Sequence, residues 1–232
     1  MTVARYKDLC IDANDNRLLA EFWAHVLGLA TPADNPYVLV GDRPEKTVWI
    51  NSVPEEHTAK NRVHLDVATA AVSDLERLGA TVHTPESDSR HWTVMTDPEG
   101  GEFCAFVRET VPSYRPFEIV VDSADPRAQA RWWAGVIGGD VGHDDAKPWW
   151  WLESVPGSPF QYWVFNPVPE PKTVKNRVHW DVTADELQPV LDAGAGLQRE
   201  RDDEIDWDIC TDPEGNEFCV FQPSPAEGEG AA

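Results

Sequence analysis

Two histidines and two cysteines stand in matched settings along the 232-residue chain. His64 lies in KNRVHLDV at 60–67 and His179 in KNRVHWDV at 175–182. Cys104 lies in TDPEGGEFCAF at 96–106 and Cys219 in TDPEGNEFCVF at 211–221, stretches alike at nine of eleven positions. An imidazole beside a carboxylate can move a proton or bind a metal ion near neutral pH, and a thiolate can join it as a ligand. The plainer readings are histidines held by hydrogen bonds to Asp66, Asp181 or the arginines, and small, buried, inert thiols. Glu102 and Glu217 share a strand face with the cysteines and would serve either at a rim or in proton transfer. These residues alone leave each choice open.

Their spacing says which elements must hold them. DNRLLAEFWAHVLG at 15–28 aligns with DPRAQARWWAGVIG at 125–138 at an offset of 110, and the histidine and cysteine motifs repeat at an offset of 115. Two homologous halves, 1–110 and 116–222, account for every match, with five residues gained near the run KPWWWLE. Within a half the apolar period alternates between helix and strand. KDLCIDA reads as a strand, and Leu18, Leu19, Phe22, Trp23, Val26 and Leu27 repeat at helical spacing. Asn14 or Asp15 can cap that helix and Gly28 can end it. NRVHLDV begins a second round, so each half reads as βαβββ twice and the chain as four modules. In NRVHLDV, Val63, Leu65 and Val67 share one face, and Arg62, His64 and Asp66 the other. The second half repeats this with Arg177, His179 and Asp181. DPEG suits a type I turn, with Asp97, Pro98 and Gly100 at its first, second and fourth places. The tail from Pro223 to residue 232 is small and polar and is expected to be disordered.

Composition narrows the function. Hydrophobic residues at 41% and charged residues at 26% give a globular balance. With 19 basic and 41 acidic side chains the formal charge is -22, which disfavours a nucleic-acid partner and suits either cationic small molecules or plain solubility. No apolar run is long enough to span a membrane. The start MTVARYKDLCID lacks the apolar run of a signal peptide, so a cytoplasmic location is expected. Four cysteines with no CxxC pair point to free thiols.

The paired modules, the D-x-x-x-x-x-x-F-W helix, and K-N-R-x-H-x-D together with D-P-E-G-N-E-F-C resemble the vicinal oxygen chelate superfamily, which includes glyoxalase, bleomycin resistance proteins and extradiol dioxygenases. The glyoxalase-like branch is the nearest match. The resemblance implies an α+β fold: four βαβββ modules forming two glyoxalase-like domains, with curled mixed sheets around a cavity and helices outside. It also implies metal ligands on three strands. By that count the first half offers Asp8, His64 and Cys104, and the second Glu118, His179 and Cys219. Such a set could hold a divalent ion such as zinc. It suits iron poorly, since an oxygen-activating site wants two histidines and a carboxylate, which speaks against an extradiol dioxygenase. Where glyoxalase I adds a glutamate, Asn51 and Asn166 stand.

Three of the eleven tryptophans fall in the first half and eight in the second. Trp149, Trp150 and Trp151 are consecutive on a strand and must appear on both faces. With Trp163, Trp180 and Trp207 they either box a planar or cationic ligand or seal the interface between halves. The expected ligand-binding set is Arg62, His64, Trp92, Trp150, Trp163, Arg177, His179 and Trp207. Two functions compete: a bleomycin-resistance-like protein that binds a small organic ligand, and a metal-dependent lyase or isomerase in which His179 or Glu118 handles a proton. The second half, with Glu118 and most tryptophans, is the better candidate for the working site. Four modules in one chain could reproduce a dimer of two-module chains, which allows a monomer; a homodimer is the alternative.

Overall fold

The computed structural model describes residues 2–223, so the expectation for the tail falls, from residue 224 on, outside the described residues. The first half runs β1 (Arg5–Ala13), α1 (Asn16–Leu27), β2 (Val38–Leu39), β3 (Val48–Ser52), β4 (Val63–Thr69), α2 (Val72–Arg77), β5 (Thr81–Thr84), β6 (Thr93–Thr96) and β7 (Glu102–Val107). The second runs β8 (Pro116–Ser123), α3 (Pro126–Ile137), β9 (Asp140–His143), β10 (Trp150–Glu153), β11 (Tyr162–Pro167), β12 (Val178–Thr183), α4 (Gln188–Asp192), β13 (Gly196–Arg199), β14 (Trp207–Thr211) and β15 (Glu217–Phe221). In the first module a single bridge, Ala30 to Val40, stands where the third module has the regular strand β9.

The strands form two open mixed sheets. One has the order β13-β14-β15-β12-β1-β3-β2, and the other β5-β6-β7-β4-β8-β11-β10-β9. Each sheet therefore draws on both halves: β1 pairs antiparallel with β12, and β8 antiparallel with β4. The first module sits beside the fourth and the second beside the third.

Alternation decides what each sheet buries. Val63, Leu65 and Val67 of β4 are at most 2% exposed and face the helical layer. The helices start and stop where their sequences dictate. Asp15 and Asp125 each accept a 3.0 Å hydrogen bond from the backbone N–H three residues on, and Pro126 opens α3. Gly28 closes α1 at φ 70°, where a Cβ would lie 1.9 Å from the Ser113 carbonyl oxygen. Trp23 of α1 packs edge-on against Phe103 of β7 at 5.2 Å, and Trp133 of α3 against Phe218 of β15 at 5.1 Å. Trp133 also meets Trp163 of β11 and Trp180 of β12, so one core joins the two sheets.

The repeated DPEG stretch has a structural task. The Gly100 N–H donates to the Asp97 carbonyl at 3.0 Å, closing the turn, while the Asp97 carboxylate accepts from the N–H groups of Glu99 and Gly101. Glu99 then accepts from the Asn14 and Asp15 N–H groups at the start of α1. Glu214 does the same for Ala124, Asp125 and the Ser123 hydroxyl before α3. Each half's last hairpin thus holds the first helix of the same half, while the sheets cross between halves. No helix of the described residues is long and apolar enough to cross a membrane.

Candidate functional site

On the second sheet, one row of side chains crosses three strands. Asp66 of β4 has Cys104 of β7 as its Cα partner on one side and Glu118 of β8 on the other. His64, two residues earlier on the same face, brings Nε2 to 3.6 Å from Asp66 Oδ1. Donor atoms of His64, Asp66 and Cys104 all lie within 4.8 Å of one another.

Burial governs the charge state of this row. It raises the Asp66 carboxyl well above the usual carboxylate range, and neighbouring Glu118 adds to the effect. Burial thus favours a proton shared in a hydrogen bond within the Asp66–Glu118 pair. Glu118 is itself raised by burial, with that hydrogen bond and the Arg108 charge working the other way. Burial lowers His64 to about 4, so its imidazole is neutral. The Cys104 thiol is pushed up by burial and then by Asp66. His64 Nδ1 and Asp66 Oδ1 are buried with no hydrogen-bond partner. Those orphaned atoms, a neutral imidazole and a thiol beside two carboxyls, fit a divalent ion that would displace the shared proton.

Above the row opens a cavity of about 590 Å³. Its aromatic walls are Trp92, Trp149, Trp151 and Tyr162, with Phe106 behind Trp92 in a stack at 5.6 Å, and Arg90, Glu153 and the ion pair of Lys60 with Asp122 also line it. A concave apolar wall around a few polar groups is the usual form of a small-molecule site.

The first sheet carries the matching row: Asp8 of β1, His179 and Asp181 of β12, and Cys219 of β15. Here a lysine reaches one oxygen of each carboxyl, while Asp8 Oδ1, Asp181 Oδ1 and His179 Nδ1 stay buried and unpartnered. Lys7 Nζ lies 2.6 Å from Asp8 Oδ2 and 3.9 Å from Asp181 Oδ2, and Trp49 Nε1 donates to Asp8 Oδ2 at 3.0 Å. The ammonium also lies 4.2 Å from the centre of the Phe221 ring, on which Trp207 stacks. Cys10, His179 and Asp181 form a second group able to hold a metal ion. Burial lowers the His179 imidazole and raises the Asp181 carboxyl, Asp8 adding to the latter.

These positions correct the expected groupings. Asp8 was expected with His64 and Cys104, and Glu118 with His179 and Cys219. The structure places Asp8 with His179 and Cys219, and Glu118 with His64 and Cys104, because the first strand of each half pairs with the histidine strand of the other. Glu118 and His179 lie in different sheets, so they do not form a catalytic pair. The cavity over the second sheet is likewise lined from both halves.

Two expected ligand contacts face the wrong way. Trp163 is fully buried among Trp133, Trp180 and Phe160, since Tyr162, Val164 and Asn166 take the cavity face of β11. Trp150 pairs with core-facing Phe165 and stacks on His143 at 4.3 Å, leaving its neighbours Trp149 and Trp151 to the cavity. Arg62 and Arg177 point away from the rows and clasp the halves together. Arg62 donates to the Glu170 and Asp122 carbonyls, and Arg177 to the Asn14 side chain and Glu55 carbonyl. They line a separate cleft of about 690 Å³ between loops 53–62 and 168–177. Trp92 does line the cavity, whereas Trp207 belongs to the row that Lys7 fills. Lys7 and Tyr162 join the rows without a local signal in the sequence, whereas Asp66 is marked by the face it shares with His64.

Comparison with known proteins follows the same division. The model of the glyoxalase-like domain matches the chain twice, over residues 8–106 and 118–221. Glyoxalase I from Zea mays is similar in structure, with a TM-score of 0.63 at 12% identity, covering 94% of this chain and 92% of that one. A putative dioxygenase from Bacillus subtilis also has a TM-score of 0.63, at 13% identity, covering 97% of this chain and 86% of that one. No curated protein sequence matches the chain. Likeness at such identity speaks for the fold alone.

Proposed function

Given that the chain belongs to the glyoxalase-like domain family and carries the domain twice, we propose that it binds a small organic ligand, aromatic or cationic, in the cavity of its second sheet. One observation carries this reading. The second sheet holds an aromatic-walled cavity of about 590 Å³ above a carboxyl pair that makes no ion pair with a lysine or arginine among the described residues, whereas Lys7 lies against both carboxyls of the first. Trp92, Trp149 and Trp151 would supply stacking surface, each aromatic contact with a cation contributing about 0.5–2 kcal/mol. Glu118 and the orphaned atoms of His64 and Asp66 would orient the polar end. Native mass spectrometry of the full chain tests this. A retained organic mass that disappears in Trp151→Ala supports the reading, and binding untouched by that change would overturn it.

A second reading, a metal-dependent lyase or isomerase, is favoured by the four donors His64, Asp66, Cys104 and Glu118. They would hold the ion, which would supply polarisation of a substrate carbonyl. Glu118, at the cavity edge, is the residue placed to accept a proton from a molecule lying against the tryptophans. Metal content of protein purified without added metal decides between the two. Near-stoichiometric metal lost in His64→Ala favours the enzyme, and protein that neither contains nor takes up metal removes it. The binding reading also takes the chain to act as a monomer in the cytoplasm, its halves doing the work of two copies.

A further inference from the structure

The two sheets are near-copies, so a difference at matched positions is informative. Asp8 corresponds to Glu118, Asp181 to Asp66, Phe221 to Phe106 and Trp207 to Trp92, by the offsets of the repeat. Two positions break the pattern. Lys7 sits at an irregularity in β1, where the pairing shifts between Tyr6 and Asp8, and its counterpart at the matching shift in β8 is Phe117. Trp49, whose indole N–H donates to Asp8, has Val164 as its counterpart. The first sheet thus supplies an ammonium and an indole donor to its carboxyls from its own chain. The second supplies neither.

What the second sheet has there bears on its ligand. Phe117 packs edge-on against Phe106 at 5.1 Å, and the exposed Arg108 guanidinium lies over both rings at 5.2 and 5.4 Å. Arg108 forms no ion pair with Asp66 or Glu118 among the described residues. Asp66 is 5% exposed, lines the cavity, and keeps Oδ1 without a hydrogen-bond partner. Asp181 Oδ1 is likewise unpartnered in the first sheet, so what sets the two rows apart is the Lys7 ammonium beside Asp8 Oδ2 and Asp181 Oδ2, for which the second row has no counterpart among the described residues.

We propose that the second sheet binds the ammonium group of an organic cation between Asp66 and Glu118, in the position Lys7 fills in the first sheet, so that the chain has one ligand site instead of two. Lys7 is an internal ligand, and it names the chemical class: a primary ammonium on a carbon chain, with the body of the molecule lying toward Trp92 and Trp151. A hydroxyl could donate to one carboxyl but carries no charge to balance Glu118, so amine and alcohol of similar shape should separate clearly.

The inference rests on the cavity reading, and calorimetric titration of the full chain keeps the two apart. The probes are 2-phenylethylammonium and the neutral 2-phenylethanol. The expected result is one ammonium probe per chain, with the alcohol weaker by about tenfold or more, and a comparable loss for the amine alone in Glu118→Gln. Equal binding of both probes, indifferent to Glu118→Gln but weakened by Trp151→Ala, would overturn the ammonium site and leave the cavity standing. No binding of either probe would overturn both. Lys7→Met should take up a second ammonium probe, and a stoichiometry still at one would overturn the role of Lys7. Should that variant fold poorly, Lys7→Ala melted with and without propylammonium gives the same answer. A rise in melting temperature with propylammonium and none with propanol supports the internal ligand, and equal shifts contradict it.

Discussion

At the scale of single residues, phase was harder to read than pattern. The alternation in NRVHLDV was enough to put His64 and Asp66 on one polar face, because the apolar residues between them have to face the helices. The run Trp149 to Trp151 carries no such marker, since every residue in it is apolar. Its phase is set by the pairing of Trp150 with Phe165 and of Trp151 with Val164, contacts between strands that a local reading does not contain. Lys7 was missed for a related reason. A strand irregularity brings it onto the carboxyl row, and nothing in KDLCIDA announces one. Removing its charge should cost stability even with the rest of the chain intact. Lys7→Met is expected to lose about 1–3 kcal/mol in urea denaturation, because Asp8 and Asp181 lose a partner that is itself only 28% exposed.

At the scale of elements, the helices and the DPEG turn were legible, and the link between them was not. Caps at Asp15 and Asp125, the stop at Gly28 and the turn at Asp97 follow from local chemistry. That Glu99 and Glu214 reach back to the helix starts depends on two segments about eighty-five residues apart coming together. The glutamate in that motif reads as a turn residue until the fold is seen. Glu214→Ala should therefore lower stability by about 1–2 kcal/mol while leaving the second sheet's cavity and its ligand binding unchanged. A melting curve alongside a ligand titration checks both halves of that statement. Loss of binding without loss of stability would give Glu214 a role in the site that its contacts do not predict.

At the scale of the whole molecule, the duplication was written in the sequence and the crossing of strands between its copies was not. Two halves with the same βαβββ modules can pair within themselves or with each other, and the local sequence is the same in both cases. The crossing decides everything about the site. It brings Glu118 to His64 and Cys104, and it gives Asp8 to His179, so two rows of similar donors are each shared between halves. It also predicts how a separated half behaves. Residues 1–110 alone leave the edges of β1 and β4 without partners, and two copies can satisfy both by pairing β1 of each with β4 of the other. Light scattering on that fragment should find a dimer or an unfolded chain. A folded monomeric half would contradict the crossed arrangement.

The proposed function turns on which sheet is open. Tryptophan fluorescence titration of the full chain with 2-phenylethylammonium and 2-phenylethanol, compared between Trp151→Ala and Trp207→Ala, tests it most directly. Trp151 walls the second sheet's cavity, and Trp207 stands by the row that Lys7 fills. Binding weakened in Trp151→Ala and retained in Trp207→Ala is the predicted result; the reverse would place the working site in the first sheet and contradict the account.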